Sequence, residues 1–231
     1  MQDVNTGISL LERAEKRKVF WRLDYRRLKR LIDFLLILLV LPLFCLLVLV
    51  LAIAFKLNSP GPVFYKQRRI GKDGVPFEMW KFRSMRVGND SQLHREHVQR
   101  LIRENVRPSD LGVKSLKLKN DPRVTPLGRF LRVMSLDELP QLINVLRGEM
   151  SIVGPRPPLP YEYEIYNEWH RQRLSVLPGI TGLWQVTAHN QVPFDEMVEI
   201  DLQYIESMSL WLDLKLIFLT PLEILHGKGG G

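Results

Sequence analysis

Hydrophobic and polar positions divide the chain into unlike parts. From Phe34 to Phe55 every side chain is apolar apart from the weak thiol of Cys45. As one straight helix this run would extend about 33 Å at ~1.5 Å per residue, enough for a bilayer core. Upstream, Leu10, Leu11, Ala14, Val19 and Leu23 recur at roughly helical spacing among charges, which predicts a basic amphipathic segment over 1–28. Pro42 interrupts the apolar run. It brings no N–H to the helix ladder and crowds the carbonyl of Leu38, so a break or sharp kink is expected there.

After Asn58-Ser59-Pro60-Gly61-Pro62, a cluster of breakers, the periodicity changes. Val63–Ile70 and Val75–Met85 read as strands joined by Gly71-Lys72-Asp73-Gly74, a hairpin. Alternation puts Phe77, Met79, Lys81 and Arg83 on one face of the second strand and Trp80 and Phe82 on the other, so the aromatics can pack while two cations project together. Residues 91–107 carry a surface-helix pattern and 108–119 read as loop. Glu162–Leu177 and Asp195–Met208 read as helices, separated by the turn-rich Pro178-Gly179-Ile180-Thr181-Gly182. Leu210–Leu225 is strongly apolar but short for a span and holds Pro221, which suits a helix at the membrane interface or in the core. No internal repeat occurs, and 227–231 read as a flexible tail.

Charge changes the picture of the apolar run. A single span satisfies its length, but both flanks are basic: Arg26, Arg27, Lys29 and Arg30 precede it, and Lys56, Lys66, Arg68, Arg69, Lys72, Lys81, Arg83 and Arg86 follow. Positive charge prefers the cytoplasmic side, and here both ends claim it. A helix–break–helix hairpin that enters and leaves by one face satisfies both. Overall, 231 residues with 45% hydrophobic and 25% charged exclude a disordered chain, and a net charge of +8 favours anionic partners such as phosphorylated small molecules or lipid surfaces. Cys45 is alone, which excludes a disulfide-stapled scaffold. Nucleic acid is the weakest partner class, because the cations gather beside the apolar run and no binding module is recognisable.

Most signatures of chemistry are absent: there is no P-loop, dinucleotide fingerprint, zinc-spaced histidine pair or Gly-x-Ser-x-Gly elbow. What stands out is Ser135-Leu136-Asp137-Glu138-Leu139-Pro140-Gln141, then Val153-Gly154-Pro155-Arg156-Pro157. Ser135 with Glu138 three residues on is the pattern of a capping box. Pro140 argues instead for a helix start at Asp137, where it falls in the first turn. Either way the carboxylates stand at a helix N-terminus. Two adjacent carboxylates with Arg129, Arg132, Arg147 and Arg156 near in sequence also suit Mg²⁺ plus a diphosphate, since Mg²⁺ takes carboxylate and phosphate oxygens together.

At these residues the chain resembles the bacterial sugar transferase family, the monotopic phosphoglycosyl transferases. The resemblance runs from about Lys29 to Leu225. Its pieces are Lys29-Arg30-Leu31-Ile32-Asp33, Gly61-Pro62-Val63-Phe64, Lys81-Phe82-Arg83-Ser84-Met85, the acid-pair and Arg156 segments, and Pro178-Gly179-Ile180-Thr181-Gly182. It looks like the small form of the family.

The resemblance implies that Asp137 is the nucleophile and that Asp137 and Glu138 are associated with Mg²⁺. The family's functional basic positions fall on Lys81, Arg132 and Arg156. Arg83, which shares a strand face with Lys81, and Gln185, just after the Pro178–Gly182 turn, complete the candidate substrate-binding set. The family usually has Ser before its central Pro; here that residue is Leu41. The expected fold is a mostly helical α+β body with a small hairpin, on the cytosolic side, carried by a re-entrant helix over 34–55 and by interfacial helices, with 29–226 as one domain. The implied reaction moves a sugar 1-phosphate from a UDP-sugar to a polyprenol phosphate such as undecaprenyl phosphate, releasing UMP, at the cytoplasmic face of the bacterial inner membrane. Membrane lipids are the further partners. Two alternatives stay open: a lipid-linked glycosyltransferase releasing UDP, and a basic membrane adaptor without activity.

Overall fold

The computed structural model describes residues 2–58, 61–85, 92–107, 110, 124–188 and 192–225, with side chains from Asp24 onward except 57–58 and 92–94. The expectations for the amphipathic face of 1–23, Arg86, most of the 108–119 loop and the 227–231 tail lie outside the described residues.

Helix α1 runs from Gln2 to Asn58 with Pro42 inside it. Of the break or sharp kink expected at Pro42, the break is not formed, because the helix continues through it. A proline removes only its own N–H from the ladder, and the hydrogen bonds on either side can continue. The stretch Asp24–Lys56 is long and apolar enough to cross a membrane by length and composition. Most of its large apolar side chains are exposed, Leu39 at 77% and Leu43 at 70% among them. Two parts of it pack on the body. Ile37 is buried with Met79, Val145 and Met150, while Leu51 and Phe55 are buried with Phe82 and Leu131.

Strands β1 (Phe64–Ile70) and β2 (Pro76–Phe82) form the antiparallel hairpin, with Phe64 opposite Phe82 and Lys66 opposite Trp80. The one-sided packing expected for β2 does not hold: Met79 faces the Ile37 cluster and Phe82 the Phe55 cluster, so both faces are covered. The Lys81 side chain remains on the Met79 face by alternation.

Helix α2 (Gln92–Glu104) packs Val98 and Ile102 against Tyr166, Trp184, Phe194 and Met197. Helix α3 (Pro126–Val133) starts at Thr125, whose side chain accepts from Gly128 N–H, with Pro126 in the first turn. Gly128 is obligatory there: a Cβ would overlap the Ser84 backbone, 2.7 Å from its Cα. Helix α4 (Gln141–Arg147) ends at Gly148, whose φ of 82° makes the left-handed cap.

A second sheet was not legible in the sequence. Strand β3 (Ser151–Val153) pairs in parallel with β4 (Gly179–Thr181). These three-residue strands are too short to show alternation, and the crossing needs glycine because a Cβ on Gly179 would meet the Gly154 backbone. The expected 162–177 helix is broken into α5 (Pro160–Tyr163), α6 (Glu168–Arg171) and a 3₁₀ turn over Gln172–Ser175. Asn167 is the reason: its side chain accepts from His170 N–H and starts a new helix.

Helix α7 (Leu183–Thr187) follows β4, and α8 (Phe194–Ser207) and α9 (Leu210–Leu225) lie close to their expected bounds. On α9 Asp213 and Leu216 are buried while Trp211 and Phe218 are over 70% exposed, so one face docks and the other presents apolar surface. Asp213 ties α1 to this layer. It accepts from Tyr25 and Tyr204 hydroxyls and pairs with Lys29 Nζ, all at 2.7 Å. Asp33 accepts from Ser151 Oγ at 2.6 Å, a second tie from α1 to the body.

Candidate active site

The acid pair lies between α3 and α4. Ser135 adopts a left-handed conformation (φ 51°, ψ 18°) and turns the chain out of α3 into a 3₁₀ turn over Leu136–Glu138. Its side chain makes no cap, so the capping box is not formed. Pro140 leads into α4, and the carboxylates stand one short turn ahead of that helix rather than within its first turn. A non-glycine residue at positive φ is strained, and such strain persists where surrounding packing holds it. Leu136 and Leu139 supply that packing by docking on the Phe82–Leu131 cluster, while Asp137 itself is buried at 7% exposure.

Three cations from distant parts of the chain converge on this turn. Lys81 Nζ, from β2, donates to Glu138 Oε1 at 3.0 Å, and Arg156 Nη1 lies 3.6 Å from the same oxygen. Arg69, from β1, interacts electrostatically with both Arg156 and Glu138. Burial pushes the Lys81 ammonium down to about 8; Glu138 and Asp137 pull it back up, while Arg156 and Arg69 push it further down. Burial, then the neighbouring Arg156, lowers Arg69 to about 10, so it remains a cation at neutral pH.

The neighbours that hold these groups are backbone and amide atoms. Arg69 donates to the Pro157 carbonyl at 2.8 Å and to Gln67 Oε1, while Ile70 N–H donates to the Pro158 carbonyl at 3.0 Å. These bonds fasten the segment bearing Arg156 to the hairpin bearing Lys81. Asn144, fully buried in α4, accepts from Trp80 N–H at 3.0 Å and donates to the Glu78 carbonyl and Glu149, both at 2.7 Å. It therefore sets the strand carrying Lys81 against the helix that follows the acid pair.

The remaining candidates make further contacts. Arg132, in the last turn of α3, donates from Nε to Ser84 Oγ at 2.9 Å. Arg83 is buried against the Phe55 ring and Gly61, on the α1 side of the hairpin. Gln185 Nε2 donates to the Ile180 carbonyl at 3.3 Å, within the β4–α7 turn. Pro42 is exposed on α1. Arg69 and Asn144 were missed by sequence reasoning. Arg69 is one cation among many in a basic flank, and a lone Asn in a short helix carries no signal of what it binds.

The donor set suits Mg²⁺ bound in the manner usual for phosphate substrates, through one or two carboxylates and phosphate oxygens. Asp137 and Glu138 could supply the carboxylates. Among the described residues no group of three or more His, Cys, Asp or Glu gathers to hold a metal by itself.

Comparison with known proteins places the chain in a family. The family model for bacterial sugar transferases matches residues 24–227, and the chain belongs to that family of enzymes. It is 42% identical over 201 residues to the exopolysaccharide production protein ExoY of Rhizobium meliloti, covering 87% of each chain. It is 44% identical over 170 residues to the galactosyl transferase CpsE of Streptococcus agalactiae, covering 73% of this chain and 36% of that one. It is also 42% identical over 203 residues to the UDP-glucose:undecaprenyl-phosphate glucose-1-phosphate transferase of Escherichia coli, covering 84% of this chain and 39% of that one. The chain thus spans little more than a third of the length of the last two relatives.

Proposed function

We propose that the chain transfers a sugar 1-phosphate from a UDP-sugar to a polyprenol phosphate such as undecaprenyl phosphate, through a covalent aspartyl intermediate. The observation that carries this reading is the buried Asp137 and half-buried Glu138 beside the converging cations Lys81, Arg156 and Arg69. Carboxylates alone repel a diphosphate; with Lys81, Arg69 and Arg156 around them they can share its charge. The names of the Escherichia coli relative and of the undecaprenyl-phosphate galactose phosphotransferase of Salmonella typhimurium support the substrate classes.

In the first step an Asp137 carboxylate oxygen attacks the sugar-bearing phosphorus of the UDP-sugar. The bond from that phosphorus to the bridging oxygen breaks, and UMP leaves with the electron pair. In the second step a phosphate oxygen of the polyprenol phosphate attacks the same phosphorus, the bond to Asp137 breaks, and the carboxylate is restored. Lys81 and Arg156 hold the negative charge that gathers on the phosphoryl oxygens. Glu138 holds Lys81 and Arg156 in place. Mg²⁺, held by Asp137 and Glu138 when bound, would neutralise the diphosphate and reduce its repulsion of the nucleophile. Dividing the transfer in two lets the soluble nucleotide depart before the insoluble acceptor reacts.

We also propose that the apolar part of α1 bends at Pro42 and re-enters the cytoplasmic face of the bacterial inner membrane, leaving the catalytic body on that side. A straight helix from Ile37 to Phe55 would cover about 27 Å. Yet the two ends pack with Met79 and Phe82, three residues apart in β2 and so about 10 Å from each other. A span would carry those ends to opposite sides of the bilayer, whereas a bent hairpin returns them to one body.

The experiment that tests the chemistry incubates purified protein with a panel of UDP-sugars and no lipid. UMP should appear in an amount approaching one per active site, and a sugar-phosphate label should remain on the protein. Asp137→Asn keeps the shape but loses the anionic oxygen, and should abolish the label while leaving the folded state intact. Release of UDP instead of UMP would favour a glycosyltransferase, and an Asp137→Asn protein that still takes the label would refute the mechanism.

A further inference from the structure

Arg156 reaches the acid pair from a strap rich in proline. Pro155, Pro157 and Pro158 have no N–H, so their carbonyls are the backbone anchors these residues offer. Gly179 N–H donates to the Pro155 carbonyl at 2.9 Å, and Ile70 N–H donates to the Pro158 carbonyl at 3.0 Å. The carbonyl of Pro157, directly after Arg156, is held by a side chain instead: Arg69 Nη1 donates to it at 2.8 Å. That guanidinium is itself gripped, because Nε and Nη2 both donate to Gln67 Oε1, at 3.3 and 3.0 Å. Strand register accounts for the grip. Gln67 and Arg69 alternate along β1 opposite Met79 and Phe77, and so share one face of the hairpin with Lys81. Each nitrogen of Arg69 thus donates to a neutral acceptor, in a residue only 5% exposed. Lending charge to the site needs only a cation. This arrangement uses the planar fork, which bridges two acceptors in a way that a lysine ammonium does not reproduce.

We propose that Gln67 and Arg69 are positioning residues for the transfer: Gln67 orients the Arg69 fork, and the fork sets Arg156 against the phosphoryl group that Asp137 attacks. This assignment rests on the sugar-phosphate transfer argued above. Arg156 Nη1 lies 3.6 Å from Glu138 Oε1, so the strap holds its guanidinium beside the carboxylates. Negative charge gathers on the phosphoryl oxygens in the transition state, so a displaced Arg156 costs more there than in the bound substrate. Positioning therefore shows in the maximal rate rather than in KM. The effect of Gln67 also passes through Arg156 and disappears when that guanidinium is removed.

UMP release from a panel of UDP-sugars by the full-length protein in lipid nanodiscs, measured beside thermal unfolding, tests this. Gln67→Leu keeps the size of the side chain and the charge of Arg69 but removes the acceptor. It should slow UMP release about tenfold, with KM within about twofold of normal. Gln67→Glu retains an acceptor oxygen and should keep the rate near normal. Arg69→Lys keeps the charge and loses the fork, and should slow release about tenfold as well. In an Arg156→Met background, Gln67→Leu should change the rate less than about twofold, because there is no guanidinium left to displace. Additive losses in that double-mutant cycle would overturn the inference, as would a Gln67→Glu protein as slow as Gln67→Leu. A normal rate in Arg69→Lys would overturn it too, and that comparison stands even if Gln67→Leu does not fold. UMP release at a normal rate by Gln67→Leu would refute the positioning and leave the transfer; no UMP from the unaltered protein would refute both.

Discussion

Replacing Lys81 separates the electrostatic reading of the site from a structural one. Lys81→Met retains most of the aliphatic stem and deletes the charge 3.0 Å from Glu138 Oε1, with Arg156 still 3.6 Å from that oxygen. The side chains of Lys81 and Glu138 are 14% and 16% exposed. Breaking a buried pair typically costs about 3–5 kcal/mol through the charge left behind. Arg156 compensates part of that here, so a loss of about 1–3 kcal/mol is expected. For a chain of this size that is a fall of roughly 2–10 °C in the unfolding midpoint. The loss in turnover should be far larger, about 10²–10³-fold, as for a removed oxyanion donor. Thermal unfolding measured beside UMP release makes the comparison.

The pH dependence sharpens this test. Lys81 titrates near 8 in the folded protein and near 10.5 unfolded. Activity that needs its charge should therefore decline as pH rises through about 8. Between those values the unfolded chain binds the extra proton, so this group's contribution to stability rises with pH while activity falls. Lys81→Arg, which keeps its charge, should move the alkaline limb upward whatever its cost in rate. An alkaline limb that stays at 8 in Lys81→Arg, or full activity in Lys81→Met, would refute the reasoning.

Three further outcomes are expected. Single cysteines at Asp24 and Asp73, each in a Cys45→Ala background, should both react with an impermeant thiol reagent only from the cytoplasmic side; labelling of one from outside would establish a span. Asn144→Ala removes three hydrogen bonds at a fully buried position and should cost about 2–4 kcal/mol in denaturant unfolding. It should also lower turnover beyond its effect on the folded fraction, because β2 carries Lys81. Gly128→Ala forces a Cβ into the Ser84 backbone, so α3 must shift and carry Arg132 from Ser84 Oγ; a loss of more than about 3 kcal/mol or an insoluble protein is expected.

The sequence by itself determined the elements whose signal is local. The apolar run over 34–55 follows from composition, and the β1–β2 hairpin from alternation around a glycine-bearing turn. Helices α8 and α9 show their periodicity over more than three turns each. The acid pair could be singled out because Asp137, Glu138 and Pro140 stand together in seven residues. Tertiary structure decided what depends on contacts between distant residues. No pattern in residues 64–82 reveals that Lys81 meets Glu138 while Arg83, two positions on, is buried against Phe55. Strands β3 and β4 are too short to show a period, and their pairing rests on a close approach of Gly154 and Gly179 that only the folded backbone displays. Arg69 looks like any flanking cation until the Pro157 carbonyl fixes it beside Arg156. Charge and hydropathy are properties of single residues and their near neighbours, and so are readable along a line. A site in which burial pushes Lys81 down to about 8 exists only where the fold has excluded water.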